Sequence, residues 1–129
     1  MKSILQHLRF PFSILLLPAF LFSYYFVDIP TPQPFTFGLL FFILHFFVYP
    51  ASNAYNSTQD RDEGSVGLIK NPLPIHNNLL MLTYVFDVLA ILLAVWINGQ
   101  TVILIAVYIL ASRLYSNRKI RLKQYPLIG

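Results

Sequence analysis

The sequence predicts an all-α fold: a polytopic membrane bundle of four transmembrane helices with both termini in the cytosol. Three observations carry that expectation. Of the 129 residues, 57% are hydrophobic and only 11% are charged, against about 25% charged in an average soluble domain. Mean hydropathy is +0.63, and the apolar residues gather in four runs near the roughly 20 residues that a spanning helix needs. The nine lysines and arginines all fall on the ends and connections that such a bundle places on one side of the bilayer. The length suits a single transmembrane domain, 1–129. The chain has no cysteine, which excludes disulfides, thiolate metal sites and cysteine nucleophiles. A net charge of +4 does not point to nucleic acid, because a nucleic-acid groove needs charge interleaved along an exposed surface.

The first helix is expected at about 10–27. Phe10 to Val27 carries no charge and follows Lys2, His7 and Arg9. A signal peptide starts in the same way, but no small-x-small cleavage site follows Phe26 and three more apolar runs do. Pro11 and Pro18 fall inside this run, which neighbouring helices can tolerate in a membrane bundle. The second helix, about 35–56, is interrupted only by Thr36, Gly38 and His45 before Tyr49-Pro50. Its phenylalanines either face lipid or line a cavity, and His45 among them reads as a hydrogen-bonded helix contact. The third helix, about 77–97, carries one charge, Asp87, roughly 12 Å along its length at 1.5 Å per residue. A buried intramembrane charge is functional by default; the structural alternatives are an ion pair with Arg113 or a protonated interhelical hydrogen bond. Asn98-Gly99-Gln100 reads as a tight turn into the fourth helix, about 101–116. Trp96 stands at that end, where an interfacial aromatic is expected, and Arg113 can snorkel to the other interface.

The segment 52–76 is the polar exception in an apolar chain. If the second helix continues past Pro50, then Asn53, Asn56, Asp60 and Glu63 share one face within about 80 degrees, while Asp62 points elsewhere. Amides and carboxylates on one face suit oxygen ligation of Mg²⁺, which keeps waters and takes few carboxylates together with substrate phosphates. The plain alternative is a solvated connector. An EF-hand starting at Asp60 fails, because Gly64, Ser65 and Asn71 stand where a ligand, a glycine and a glutamate are needed. Asn56-Ser57-Thr58 is a glycosylation sequon, but the charge distribution assigns it to the cytosol.

At these residues the chain resembles the UbiA-type intramembrane prenyltransferases. Their first aspartate-rich motif is NxxxDxxxD, on the cytosolic side between the second and third helices. Asn56-Ser-Thr-Gln-Asp60 matches its first two ligands in type and spacing, whereas Gly64 stands at the third, with Glu63 and Asp62 nearby as substitutes. Beyond the fourth helix, Tyr115-Ser116 followed by Arg121-Leu122-Lys123 is similar to the family's YSxxxxRxK segment. Without the loop motif that segment would read as a basic interfacial anchor. The match covers essentially all of this chain and slightly less than half of the family's length; no second DxxxD occurs in it.

The resemblance implies a Mg²⁺ site at Asn56, Asp60 and Glu63 or Asp62. It also implies a diphosphate site drawing on Asn53, Lys70, Tyr115, Arg121 and Lys123, with Arg9 a weaker candidate. Arginine offers planar two-point recognition of phosphate and lysine a mobile point charge. The implied reaction transfers a prenyl group from its diphosphate to an aromatic or similar acceptor, in a bacterial inner membrane with the active face cytosolic. No residue is assigned a catalytic role. Without the second motif, the expectation is an N-terminal portion of such an enzyme, inactive without the missing helices or a partner subunit. A non-catalytic membrane subunit that keeps the scaffold is the second expectation, and a transporter using Asp87 as proton carrier the third.

Overall fold

The computed structural model describes residues 1–26, 33–60, 71–120 and 122–124. Among them every regular element is helical. The N-terminal arm is three short helices, α1 (Lys2–Leu8), α2 (Phe10–Leu15) and α3 (Leu17–Phe26). Arg9 separates α1 from α2 by adopting the left-handed conformation, φ 49°. A non-glycine residue held there costs on the order of 1–3 kcal/mol and persists only where its surroundings impose it. Here Arg9 Nη2 donates to Ser57 Oγ at 2.8 Å. The second break, at Leu16, bends the arm by 40°, since Pro18 cannot donate a backbone hydrogen bond and its ring crowds the carbonyl four residues back. Expected as one helix over about 10–27, this arm therefore begins earlier, at Lys2, and is jointed twice.

The next span runs without interruption from Pro34 to Asp60, as α4 (Pro34–Phe42), a π-helical turn (Ile43–Val48) and α5 (Tyr49–Asp60). The π turn explains how the helix passes Pro50. An α-helix would call on Pro50 for an N–H bond to Phe46, which proline cannot make. Widening the turn beforehand moves the ladder to i−5, and Tyr49 N–H donates to Leu44 O. The helix thus reaches Asp60, beyond the expected end at 56.

α6 (Leu79–Ala94) is shorter than the expected 77–97. At its C-terminus Trp96 N–H bonds to Leu93 O and Ile97 N–H to Ala94 O, three-residue turns that close the helix. Asn98 does not sit in a loop of three. It caps α7 (Gly99–Ser116), its side chain accepting from Thr101 N–H at 2.8 Å, the preferred chemistry for an N-cap asparagine. Gly99 and Gln100, expected in the turn, are the first residues of α7. A short 3₁₀ turn, Leu122–Gln124, ends the described chain.

Two helices, Pro34–Asp60 and Gly99–Ser116, are long and apolar enough to cross a membrane, and the bent N-terminal arm makes a third if it counts as one span. α6 is apolar but, at 16 residues, shorter. The large side chains Met81, Val85, Val88 and Leu92 of α6 and Ile103, Leu104, Val107 and Leu110 of α7 point outward and are exposed. That is unfavourable in water and expected against lipid tails, where small residues instead mediate helix contacts. Ala51, Ala54, Ala90 and Ala94 are fully buried. One apolar cluster joins Ile43 and Val48 to Ala90, Ala94 and Ile105, and a second joins Leu8, Ala54 and Leu79. α5 is the central element, touching α1, α2, α6 and α7. The extended segment before α6 is laced to α1: His7 Nε2 donates to Leu73 O at 2.9 Å and Leu73 N–H to Gln6 Oε1 at 2.9 Å.

Candidate functional site

Because α5 continues to Asp60, Asn56 and Asp60 stand one helical turn apart on the same face. The C-terminal end of α7 and the 3₁₀ turn after it close over that face. Ser116 Oγ donates to Asn56 Oδ1 at 2.9 Å. Lys123 Nζ donates to Asn56 Oδ1 at 3.2 Å and to both carboxylate oxygens of Asp60 at 2.6 Å. The side chains of Lys123 and Asp60 are 21% and 16% exposed, so the pair is partly withdrawn from water but reachable. Around this centre Arg118 Nε donates to Gln59 O, and Asn117 Nδ2 to the Tyr55 hydroxyl at 3.4 Å.

A further polar group lies deeper. Arg113 Nε donates to Asp87 Oδ2 at 3.0 Å, with Nη2 on the same oxygen, and Nη1 reaches Ala51 O at 3.4 Å. The guanidinium also stacks 4.2 Å from the centre of the Tyr55 ring. Asp87 is therefore in an ion pair, one of the two structural alternatives open from the sequence, and the pair ties α6 to α7 and α5.

The residues that the resemblance assigned to metal and diphosphate are only partly brought together. Asn56, Asp60 and Lys123 converge. Asn53, one turn earlier, lines a small cavity of about 200 Å³ with Ser52, Tyr49 and Tyr108. Tyr115 is exposed while its neighbour Ser116 points inward. Asp62, Glu63, Lys70 and Arg121 lie outside the described residues, as do the other residues of 61–70. Among the described residues no group of three or more His, Cys, Asp or Glu could hold a metal ion. Asn56 and Asp60 nevertheless fit Mg²⁺ in kind: hard oxygen donors on adjacent turns, already converging on a cation in the form of the Lys123 ammonium, for an ion that takes few protein ligands.

Two contributors were not singled out from the sequence. Ser116 enters the sequence reading only within the Tyr115-Ser116 segment, although its position at the end of α7 aims its hydroxyl at α5. Gln59, whose backbone and side chain hold Arg118, has no signal in spacing or composition that separates it from a solvated polar residue. His45 departs from its expected role: it packs between helices, but neither ring nitrogen has a hydrogen-bond partner among the described residues.

Comparison of the chain with protein-family models, with curated proteins and with solved structures finds no match in any of the three.

Proposed function

We propose that this chain is an integral membrane module of the UbiA prenyltransferase type that binds the diphosphate of a prenyl diphosphate, with Mg²⁺, at the face made by Asn56, Asp60 and Lys123. In this reading the bundle has four spans, with the arm and α6 crossing alongside the two longer helices. Both termini and the 52–76 segment are cytosolic, and the membrane is a bacterial inner membrane. The observation that carries the reading is the convergence of Lys123 on Asn56 and Asp60 across 67 and 63 residues of chain. Those residue types in that arrangement are what a Mg²⁺-diphosphate needs.

Each residue has a chemical task. Asn56 and Asp60 supply the oxygens for the metal, and Ser116 holds the Asn56 amide so that its oxygen stays on that face. Lys123 sits on Asp60 as a flexible point charge that can turn toward an incoming phosphate, the property that distinguishes lysine from arginine. Mg²⁺ bound there supplies charge neutralisation of a departing diphosphate. Loss of the diphosphate from an allylic carbon builds negative charge on the leaving group, so preorganised cations are the main source of rate enhancement. Glu63 or Asp62, Lys70 and Arg121 complete the set in this proposal. Transfer to an aromatic acceptor would need a second acidic cluster, supplied by further helices or a partner subunit.

A second reading has its own observation. Lys123 already neutralises Asp60, and Ser116 and Lys123 already donate to the Asn56 amide oxygen, so the face can serve as a structural joint by itself. A non-catalytic membrane subunit would keep it for that purpose.

Binding of a prenyl diphosphate to the purified chain separates the two. The enzyme-type reading expects Mg²⁺-dependent binding that falls at least about tenfold in Asp60→Ala and less in Asp62→Ala, a residue that helical spacing in the sequence would set off the shared face. Binding that ignores Mg²⁺, or equal losses in both variants, supports the structural joint.

A further inference from the structure

His45 occupies the π-helical turn, and such turns inside α-helices are frequently found at functional positions. It is 3% exposed. Phe41 meets its ring edge-on at 4.5 Å, Phe20 at 5.6 Å, and Tyr49 lies tilted at 5.3 Å. A neutral imidazole carries one N–H donor and one lone-pair acceptor, and here neither nitrogen has a partner among the described residues. Burying such a group unsatisfied is unfavourable. A phenylalanine would pack in this aromatic setting without that penalty.

Beside it, between α3 and α4, lies a cavity of about 560 Å³, within the range of small-molecule sites. Phe20, Tyr24, Phe37, Leu44 and Tyr49 line it. His45 itself does not line the cavity, but Phe20 and Tyr49 touch both it and the imidazole. α3, which carries Phe20, has no fully buried residue and is set off by the bend at Leu16; Phe20 packs on Phe37 at 5.1 Å and Phe41 at 5.9 Å, contacts that an incoming aromatic ring would have to replace. The lining is aromatic, which favours a planar ring, and its polar groups, such as Ser23 and Thr36, are neutral.

We propose that this cavity binds a planar, lipid-soluble ring bearing a carbonyl or hydroxyl oxygen, the chemistry of a quinone or a phenol. Phe20 swings aside and His45 becomes the polar anchor. The imidazole N–H donates to a carbonyl oxygen, or its bare nitrogen accepts from a hydroxyl. The site is distinct from the Asp60 face. His45 and Asp60 are separated by roughly 20 Å along the helix at 1.5 Å per residue, too far for an acceptor here to meet a carbon bonded to a diphosphate there.

The test compares menadione, methylnaphthol and methylnaphthalene, rings of similar shape with carbonyl oxygens, a hydroxyl and no oxygen. Each is titrated against the full chain in lipid nanodiscs, with protein-free nanodiscs as background. One of the oxygen-bearing rings is expected to bind about tenfold more tightly than methylnaphthalene, and the tighter of the two identifies the carbonyl or the hydroxyl. His45→Phe should erase that preference while still binding methylnaphthalene. Leu40→Trp, which fills the cavity and leaves His45 in place, should lose all three ligands with its helical circular dichroism unchanged. The proposal is overturned by equal binding of all three rings to the native chain or by binding of none. It is equally overturned by a preference that survives His45→Phe, or by binding that survives Leu40→Trp.

Discussion

Among the described residues two carboxylate–cation pairs join α7 and its extension to the rest of the molecule, and they are built differently. Asp87 and Arg113 meet inside the bundle, where the guanidinium lies on the carboxylate, on Ala51 O and over the Tyr55 ring. Asp60 and Lys123 meet at the end of α5, where one ammonium touches a carboxylate and an amide and remains partly open to solvent. Arginine presents a rigid planar fork whose donors are all directed, whereas lysine is a compact charge on a flexible stem. The first pair reads as a fixed structural joint and the second as one whose cation can be exchanged. In the proposed function the same two charges serve architecture in one place and recognition in the other.

The largest effect should come from breaking the inner pair. Asp87→Ala leaves Arg113 as an uncompensated buried charge, which typically costs about 3–5 kcal/mol. Reversible unfolding in mixed micelles should show a loss of that order. A loss below about 1 kcal/mol would mean that the two pairs are equivalent surface contacts. Arg113→Lys keeps the charge but gives up the fork and the ring stacking, and is expected to fall between Asp87→Ala and the native chain in the same assay.

The outer pair should behave in the opposite way. Lys123→Ala is expected to cost less stability than Asp87→Ala, because the outer pair is the more open of the two to solvent, while weakening diphosphate binding severalfold. An unfolding penalty as large as that of Asp87→Ala would show that Lys123 is a structural clamp. Orientation sharpens the comparison further, because the outer pair must face the cytosol to meet a soluble Mg²⁺-diphosphate. A cysteine at Gln100 should react with an impermeant thiol reagent from outside and one at Thr58 should not; the reverse pattern would remove the premise. The smallest effect is ionic strength. Raising salt screens exposed charges more than buried ones, so it should soften the Lys123 contact, followed by lysine accessibility to acylation, and leave the Arg113 contact unchanged.

The difference between these pairs also marks what could be read without coordinates. Hydrophobic runs and a fixed helical period made α4–α5 and α7 legible, along with the shared face of Asn56 and Asp60, because these depend only on local spacing. The ion pair of Asp87 was legible as one of two alternatives, since a carboxylate in an apolar helix must find a partner. The joints of the first arm were not. Pro11 and Pro18 are visible in the sequence, but the break at Arg9 depends on α5 offering Ser57 to its side chain. Nor was the π turn, which is a backbone response to Pro50 and the packing around it. α6 ends three residues early because its last turn tightens before the Asn98 cap, a boundary that apolarity through Val95, Trp96 and Ile97 conceals. The expected hydrogen bond of His45 has no partner among the described residues: Phe41 and Tyr49, a turn away on its own helix, and Phe20, brought in from α3 by tertiary packing, each meet the imidazole with a ring.

The measurement that bears most directly on the central claim is a titration of prenyl diphosphate against the native chain and Asp60→Asn, with Mg²⁺ present and with it removed by chelation. Asparagine keeps the size and an oxygen but not the charge. The expected result is binding to the native chain that depends on Mg²⁺ and a loss of that dependence in Asp60→Asn, with the helical content of both proteins the same. Native binding that is indifferent to chelation, or an Asp60→Asn chain that binds with the native affinity and the native Mg²⁺ dependence, would contradict it.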